Sequence, residues 1–370
     1  MSHGDFKDFA ARDAAYRTSK GKVRLAPELP DAPIADVHCH LGMLADPALA
    51  IARAEYRGFG LLCSILDPGD LEGDPDDTPA AVCLERAGEW LDAARVVLSE
   101  LESRDAGPRA VSNPQAAPNP QAAPDLPLLC FAAGVHPHNA RFFDEARREL
   151  ERELDDERVT CVGEIGLDFH YDMSPRDVQR DVFARQLEIA QERGLPVELH
   201  LREAHDDALD ILRREGVPEA GCVLHCFNLD ADVLAPFLEL GCHVSLGGPL
   251  TFKASFDTRR ATLDIPVERL LTETDSPFMA PEPLRGTVCT PDMTAFTLRM
   301  LLDCFGFGGP DAAEAALQPR PSDIERGAER IDIAAIDFAA LQCGLGECAF
   351  AEQVFENART LLAPREAARR

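Results

Sequence analysis

The chain has 370 residues, 45% of them hydrophobic, enough to bury a large core. Asp and Glu number 65 against 37 Lys and Arg, a formal charge of -28 that argues against bulk, salt-driven grip on a polyanion. The 12 cysteines lack finger or ribbon spacing, and no run approaches a membrane span, so a reduced, cytoplasmic chain without membrane attachment is expected.

Residues 1–30 are polar and mixed and read as an N-terminal extension. A first strand then runs into His38 and His40. On a strand, residues i and i+2 face one side, so these imidazoles would project together, about 6–7 Å apart. A helix is expected over 44–57, stopped by Gly58 and Gly60, and a second strand over 61–66, closed by Asp67-Pro68-Gly69. Residues 67–127 read as an insertion. They open acidic and turn-rich, take helical spacing over 80–104, and then repeat Asn-Pro-Gln-Ala-Ala-Pro in tandem at 113–118 and 119–124. That Pro/Ala-rich repeat carries no core-forming residue and is expected to be extended or partly disordered.

Strand and helix then alternate. Strands are expected over 128–135, ending at His136-Pro137-His138; over 159–166, ending near Glu164, Asp168 and His170; over 196–201, bearing His200; over 222–227, bearing His225; over 242–246; and over 271–275, ending at Asp275. Between them, 175–193 has Val178, Val182, Phe183, Leu187 and Ala190 at helical spacing, stopped by Gly194. Residues 303–350 read as a second insertion, and 351–362 as a final helix.

Eight strands alternating with helices mean parallel pairing, and eight units suggest an α/β fold of the (β/α)8 TIM-barrel type spanning 31–363, with its reactive residues at the C-terminal mouth. His38, His40, Glu164, His200, His225 and Asp275 all fall at those strand ends. Each alone reads equally well as a core histidine, a turn carboxylate or a helix cap. Six of them gathered at five strand ends read as ligands of divalent metal ions. Imidazoles mixed with carboxylates suit Zn or Mn better than Ca, without excluding Mg. Six ligands fit two ions sharing a carboxylate, with Glu164 the natural bridge.

In order along the chain stand Asp36-Val37-His38-Cys39-His40, Gly134-Val135-His136-Pro137-His138, Val162-Gly163-Glu164-Ile165-Gly166-Leu167-Asp168, His200-Leu201-Arg202-Glu203-Ala204, Leu224-His225-Cys226-Phe227 and Glu273-Thr274-Asp275-Ser276-Pro277. This ordered set resembles the TatD family of metal-dependent deoxyribonucleases, within the amidohydrolase-type barrels. Thr251-Phe252-Lys253, Ala280-Pro281, Arg285-Gly286 and Phe355-Glu356-Asn357-Ala358 are similar too. One departure is Thr287-Val288-Cys289-Thr290-Pro291, where the family usually has an Asn.

The resemblance implies one metal held by His38, His40, Glu164 and Asp275, and a second by Glu164, His200 and His225. It implies a DNase, of exonuclease type, that attacks a phosphodiester with a metal-activated water. Asp275 would accept and orient that water's proton, and Glu164 would complete the catalytic pair. Arg202 is expected on the face of His200 and could fork onto phosphate. His136, Lys253 and Arg285 are the other candidate substrate contacts. The alternative keeps the metals and changes the bond, to an ester or amide of a small or tRNA-linked substrate. A ring of Lys/Arg at the mouth would favour nucleic acid, an apolar pocket the small substrate. A third reading is a non-catalytic, metal-loaded scaffold.

Overall fold

A computed structural model describes residues 16–71, 78–104 and 126–364. The tandem repeat at 113–124 lies outside the described residues. Eight parallel strands follow one another around a barrel in chain order. They are β1 (Ile34–Cys39), β2 (Phe59–Leu66), β3 (Leu128–Ala133), β4 (Val159–Asp168), β5 (Val197–Arg202), β6 (Cys222–Leu224), β7 (His243–Leu246) and β8 (Leu270–Thr272). The helices are α1 (Pro47–Tyr56), α2 (Ala80–Arg104), α3 (Phe143–Leu154), α4 (Arg176–Arg193), α5 (His205–Glu215), α6 (Ala231–Glu239), α7 (Phe256–Ala261) and α8 (Thr294–Cys304). The expected TIM-barrel arrangement is therefore present.

The first and last strands meet just beyond the end of β8. The N–H of Asp275 donates to the carbonyl of His38 at 2.9 Å, and the N–H of His40 to the carbonyl of Ser276 at 2.7 Å. Lower down, the Thr272 hydroxyl donates to the Ala35 carbonyl and the Thr274 hydroxyl to Asp36. The seam that closes the barrel thus joins the backbone of two ligand candidates from the start of the chain to one from its far end.

The helices are placed by apolar faces and by a few buried polar clamps. In α4, Val182, Phe183, Leu187 and Ala190 are buried, and so are Gln179 and Gln186. Gln186 accepts from the N–H of Val135 at 2.8 Å and donates to its carbonyl at 3.0 Å. Gln179 accepts from the N–H of Asp168 at 2.8 Å and donates to the Ser174 carbonyl. A buried amide with every group paired is rigid, so α4 fixes the ends of β3 and β4. Gly194 ends the helix at φ +63°, in the left-handed region that glycine enters without steric cost.

Both flanking segments pack on the barrel. Tyr16 is buried in a small cluster with Ala280, Leu284, Cys289 and Met293, and its hydroxyl donates to the Asp292 carbonyl. Arg53 on α1 pairs with the buried Asp292 through two nitrogens, at 2.9 and 3.1 Å. Helix α2 buries Leu84, Ala87, Trp90, Ala94, Leu98 and Leu101, and it packs along α1. Residues 303–350 hold three short helices, α9 (Pro310–Leu317), α10 (Pro321–Ile324) and α11 (Phe338–Leu341), before α12 (Glu347–Leu362). Phe305 and Phe307 stack near Phe350 of α12. All twelve cysteines are free thiols; nine are buried, Cys226 and Cys348 are partly buried, and Cys343 is exposed. Among the described residues no helix is long and apolar enough to cross a membrane.

Candidate metal centre

All six ligand candidates converge at the C-terminal mouth, around Glu164. Its Oε2 faces His38 Nε2 at 3.6 Å. Its Oε1 faces His200 Nδ1 at 2.5 Å and His225 Nε2 at 3.3 Å. On the first side, the Nε2 atoms of His38 and His40 are 3.3 Å apart, and Asp275 Oδ1 lies 3.8 and 3.5 Å from them. Two compact groups therefore share one carboxylate: His38, His40 and Glu164, and Glu164, His200 and His225. Asp275 stands beside the first.

The backbone explains how such close approach arises. A register irregularity between Asp36 and Cys39 breaks the regular pairing of β1 with β2, and His40 lies one residue past the strand. The two imidazoles thus converge instead of standing at the plain i, i+2 separation. His225 and Asp275 also lie just beyond their strands, which end earlier than the apolar runs suggested. Asp275 adopts φ +60°, a conformation Asp tolerates better than most residues.

The second nitrogen of His38, His200 and His225 also finds a carboxylate. His38 Nδ1 is 3.1 Å from Glu198 Oε1, and His225 Nδ1 is 3.1 Å from Glu273 Oε1. His200 Nε2 is 3.2 Å from Asp168 Oδ2, which also takes His138 Nε2 at 2.8 Å. Glu198, Glu273 and Asp168 are buried. Such partners fix which ring nitrogen is free to ligate and raise its basicity. The sequence reading did not assign them this role. The available signal was period-two spacing: Glu198 is two residues before His200, and Glu273 two before Asp275.

Electrostatics match this picture. Burial alone would raise the Glu164 carboxyl, but the imidazoles of His200, His136, His225 and His38 outweigh it and hold it well below the usual range. Burial lowers His200, yet Glu164 and Asp168 together push it up to about 9. Burial raises Glu198 well above the ordinary carboxyl range. Burial and the neighbouring His225 drive His38 down. Concentrated carboxylates and imidazoles, desolvated and aimed at one another, are the donor set a divalent transition cation or Mn²⁺ takes.

The centre opens into a cavity of about 680 Å³. His136 and Arg202 line it, with His136 Nε2 3.7 Å from Glu164 Oε1. Lys253 and Arg285 do not line it. Lys253 is exposed after the turn at Gly248–Thr251, and Arg285 lies 4.2 Å over the Phe252 ring. The outer wall comes partly from the insertion, through Thr78, Pro79, Ala80, Ala81 and Cys83 at the start of α2.

The chain resembles metal-dependent hydrolases. The model of the family described as TatD related DNase matches residues 35–316. The chain is 37% identical over 173 residues to the uncharacterized metal-dependent hydrolase YabD of Bacillus subtilis, covering 46% of this chain and 68% of that one. It is 38% identical over 178 residues to the uncharacterized metal-dependent hydrolase TatD of Mycobacterium tuberculosis, covering 46% and 67%. It is also 34% identical over 175 residues to the human 3'-5' RNA nuclease TATDN2, covering 45% of this chain and 23% of that larger protein. Among solved structures, YJJV, a TatD homolog from Escherichia coli, superposes with a TM-score of 0.60 at 22% identity, covering 90% of this chain and 98% of that one. At that identity the likeness speaks for the fold.

Proposed function

The chain belongs to the TatD family of metal-dependent hydrolases, and from that premise we propose that it hydrolyses phosphodiester bonds of nucleic acid, DNA first, with two divalent cations. The observation that carries this reading is the division of Glu164, one oxygen toward His38 and the other toward His200 and His225. His38, His40, Glu164 and Asp275 would hold one cation, and Glu164, His200 and His225 the other. When bound, the cations supply charge neutralisation at phosphoryl oxygens and a lowered pKa for water.

The remaining work falls to this chain's own groups. Asp275 Oδ1 faces the two histidines, which leaves Oδ2 to take the proton of the attacking water. The water oxygen bonds to phosphorus as the P–O ester bond breaks, and the leaving oxygen takes a proton from solvent. Arg202 on the cavity wall can fork onto a non-bridging phosphate oxygen, and His136, beside Glu164, can hydrogen-bond another. Lys253 and Arg285, outside the cavity, would touch only nucleotides farther along a bound strand.

One observation favours the second reading, an ester or amide hydrolase on a small substrate: among the described residues, Arg202 is the one Lys or Arg lining the cavity. A single assay separates the two. Purified protein is incubated with end-labelled single-stranded DNA and Mg²⁺ or Mn²⁺, with a chelator control. We expect stepwise shortening from an end, abolished by chelator and lost in Asp275→Asn, whose fold is kept. Intact DNA alongside rapid turnover of carboxyl esters would reject the phosphodiesterase reading.

A further inference from the structure

Ten large hydrophobic side chains are exposed among the described residues, and four of them, Leu71, Tyr171, Phe278 and Met279, line the cavity over the centre. Scattered exposed apolar residues need no explanation, but a set gathered at the mouth of a site does. The two rings flank the centre. Phe278, 47% exposed, stands edge-on to His40 with centroids 6.1 Å apart. Tyr171, 56% exposed, stands edge-on to His138 at 5.5 Å, and His138 shares Asp168 with His200. One ring therefore adjoins the His40 end of the ligand cluster and the other the His200 end.

Both rings are held by the centre itself. The N–H of Phe278 donates to the Asp275 carbonyl at 2.8 Å, and the N–H of Tyr171 to Asp168 Oδ1 at 2.8 Å. The guanidinium of Arg202 lies 4.6 Å over the Tyr171 ring. Both residues are anchored through their backbone N–H groups and about half exposed; Arg202 covers one face of Tyr171 and leaves the other for a ligand. Among the described residues the wall offers no track of cations for a long polyanion, since Arg202 stands alone there, and the chain carries -28. Affinity for nucleic acid must come from stacking, which needs unpaired bases.

We propose that the site takes single-stranded nucleic acid through the two nucleotides that flank the scissile phosphate, one base on Phe278 and the other on Tyr171, with Arg202 as the sole cationic phosphate contact. This rests on the phosphodiesterase reading above and adds its substrate form: a short footprint, unpaired, recognised by rings rather than by charge.

The test is binding, read apart from cleavage, with a fluorescein-labelled phosphorothioate hexathymidylate and the Mn²⁺-loaded protein. Phe278→Ala and Tyr171→Ala should each weaken binding about tenfold, with bound metal unchanged by elemental analysis. A hexamer without bases should bind the wild type about as weakly and lose nothing further in the variants. Raising NaCl from 50 to 200 mM should cost less than about tenfold, against the 10³ to 10⁵ expected for six to ten phosphate contacts. Base-free and thymidylate hexamers binding alike, or ring variants binding like the wild type, would overturn the proposal. A hydrolysis assay run beside it separates the layers. Binding as described without cleavage of any phosphodiester rejects the catalytic reading and leaves the ring subsites standing; cleavage with unaffected ring variants does the reverse.

Discussion

His38, His200 and His225 each turn one ring nitrogen toward Glu164 and the other toward a buried carboxylate, Glu198, Asp168 or Glu273. Each of those carboxylates has an imidazole nitrogen within 3.2 Å. Glu153, near the end of α3, shows the opposite condition: it is 2% exposed, and neither of its oxygens has a hydrogen-bond partner among the described residues. Burial, with the charge of Asp67 adding to it, pushes its carboxyl up to about 8. The folded protein then holds a proton there that the unfolded chain releases near pH 4.5. Stability contributed by the neutral form is complete below that value and is lost as pH rises toward 8. Glu153→Gln keeps the shape and removes the titration. Its unfolding free energy should match the wild type near pH 4.5 and exceed it at pH 8.5, by a margin on the order of 3 kcal/mol. Parallel pH profiles of the two proteins would refute the assignment. The sequence could not show this residue, because Glu145 to Glu153 reads as a charged, solvated helix. Nor could it show which carboxylate meets which imidazole. Glu198 sits two residues from His200 yet faces His38, which is 160 positions earlier and brought there only by barrel closure.

At the level of elements, strand–helix alternation was written in the apolar runs, and so was the placement of all six ligand candidates at strand ends. The buried glutamines of α4 were not, because polar residues on a helix read as its wet face until the neighbouring strand ends are known. The role of the 67–127 insertion was hidden for a similar reason: helical spacing over 80–104 showed a helix, but only the packing shows that its first turn walls the cavity. Strand β4 illustrates how tightly the layers sit. All ten of its residues are buried, and Gly166, at φ +141°, lies so close to β5 that an added Cβ would collide with the His200 carbonyl oxygen. Gly166→Ala must therefore strain its own backbone and push His200 off Glu164. It should lower the denaturant midpoint by an amount equivalent to roughly 2–3 kcal/mol and reduce the bound metal. Gly88→Ala in α2 is the control. That glycine has nothing within 4 Å of an added Cβ, so helix propensity alone should stabilise the protein by about 0.5–1 kcal/mol. Equal midpoints for wild type and Gly166→Ala would show that β4 and β5 can slide apart without cost.

For the molecule as a whole, the centre ties the two ends of the barrel's strand order together. Its candidate ligands come from β1, β4, β5 and the turns beyond β6 and β8, and the seam between β1 and the stretch after β8 lies among them. A cation bound there contacts groups from across the fold and none in the same geometry once the chain unfolds, so binding must raise stability by mass action. At a free concentration one hundred times the dissociation constant the gain is about 2.7 kcal/mol per site, which for a chain of this size corresponds to a rise of roughly 3–4 °C per site, or about 7 °C for two. Chelation should lower the melting temperature by that amount, and Mn²⁺ or Zn²⁺ should restore it. The charge of -28 works in the same direction, since each bound cation offsets part of the repulsion among carboxylates. Glu164→Ala separates local binding from general screening. It removes the one carboxylate both groups share, so the metal-dependent rise should disappear and the bound metal should fall, while NaCl continues to act on both proteins alike. If Glu164→Ala kept the full rise and its metal content, the two groups would be independent sites, and the division of Glu164 between them would have no part in holding cations.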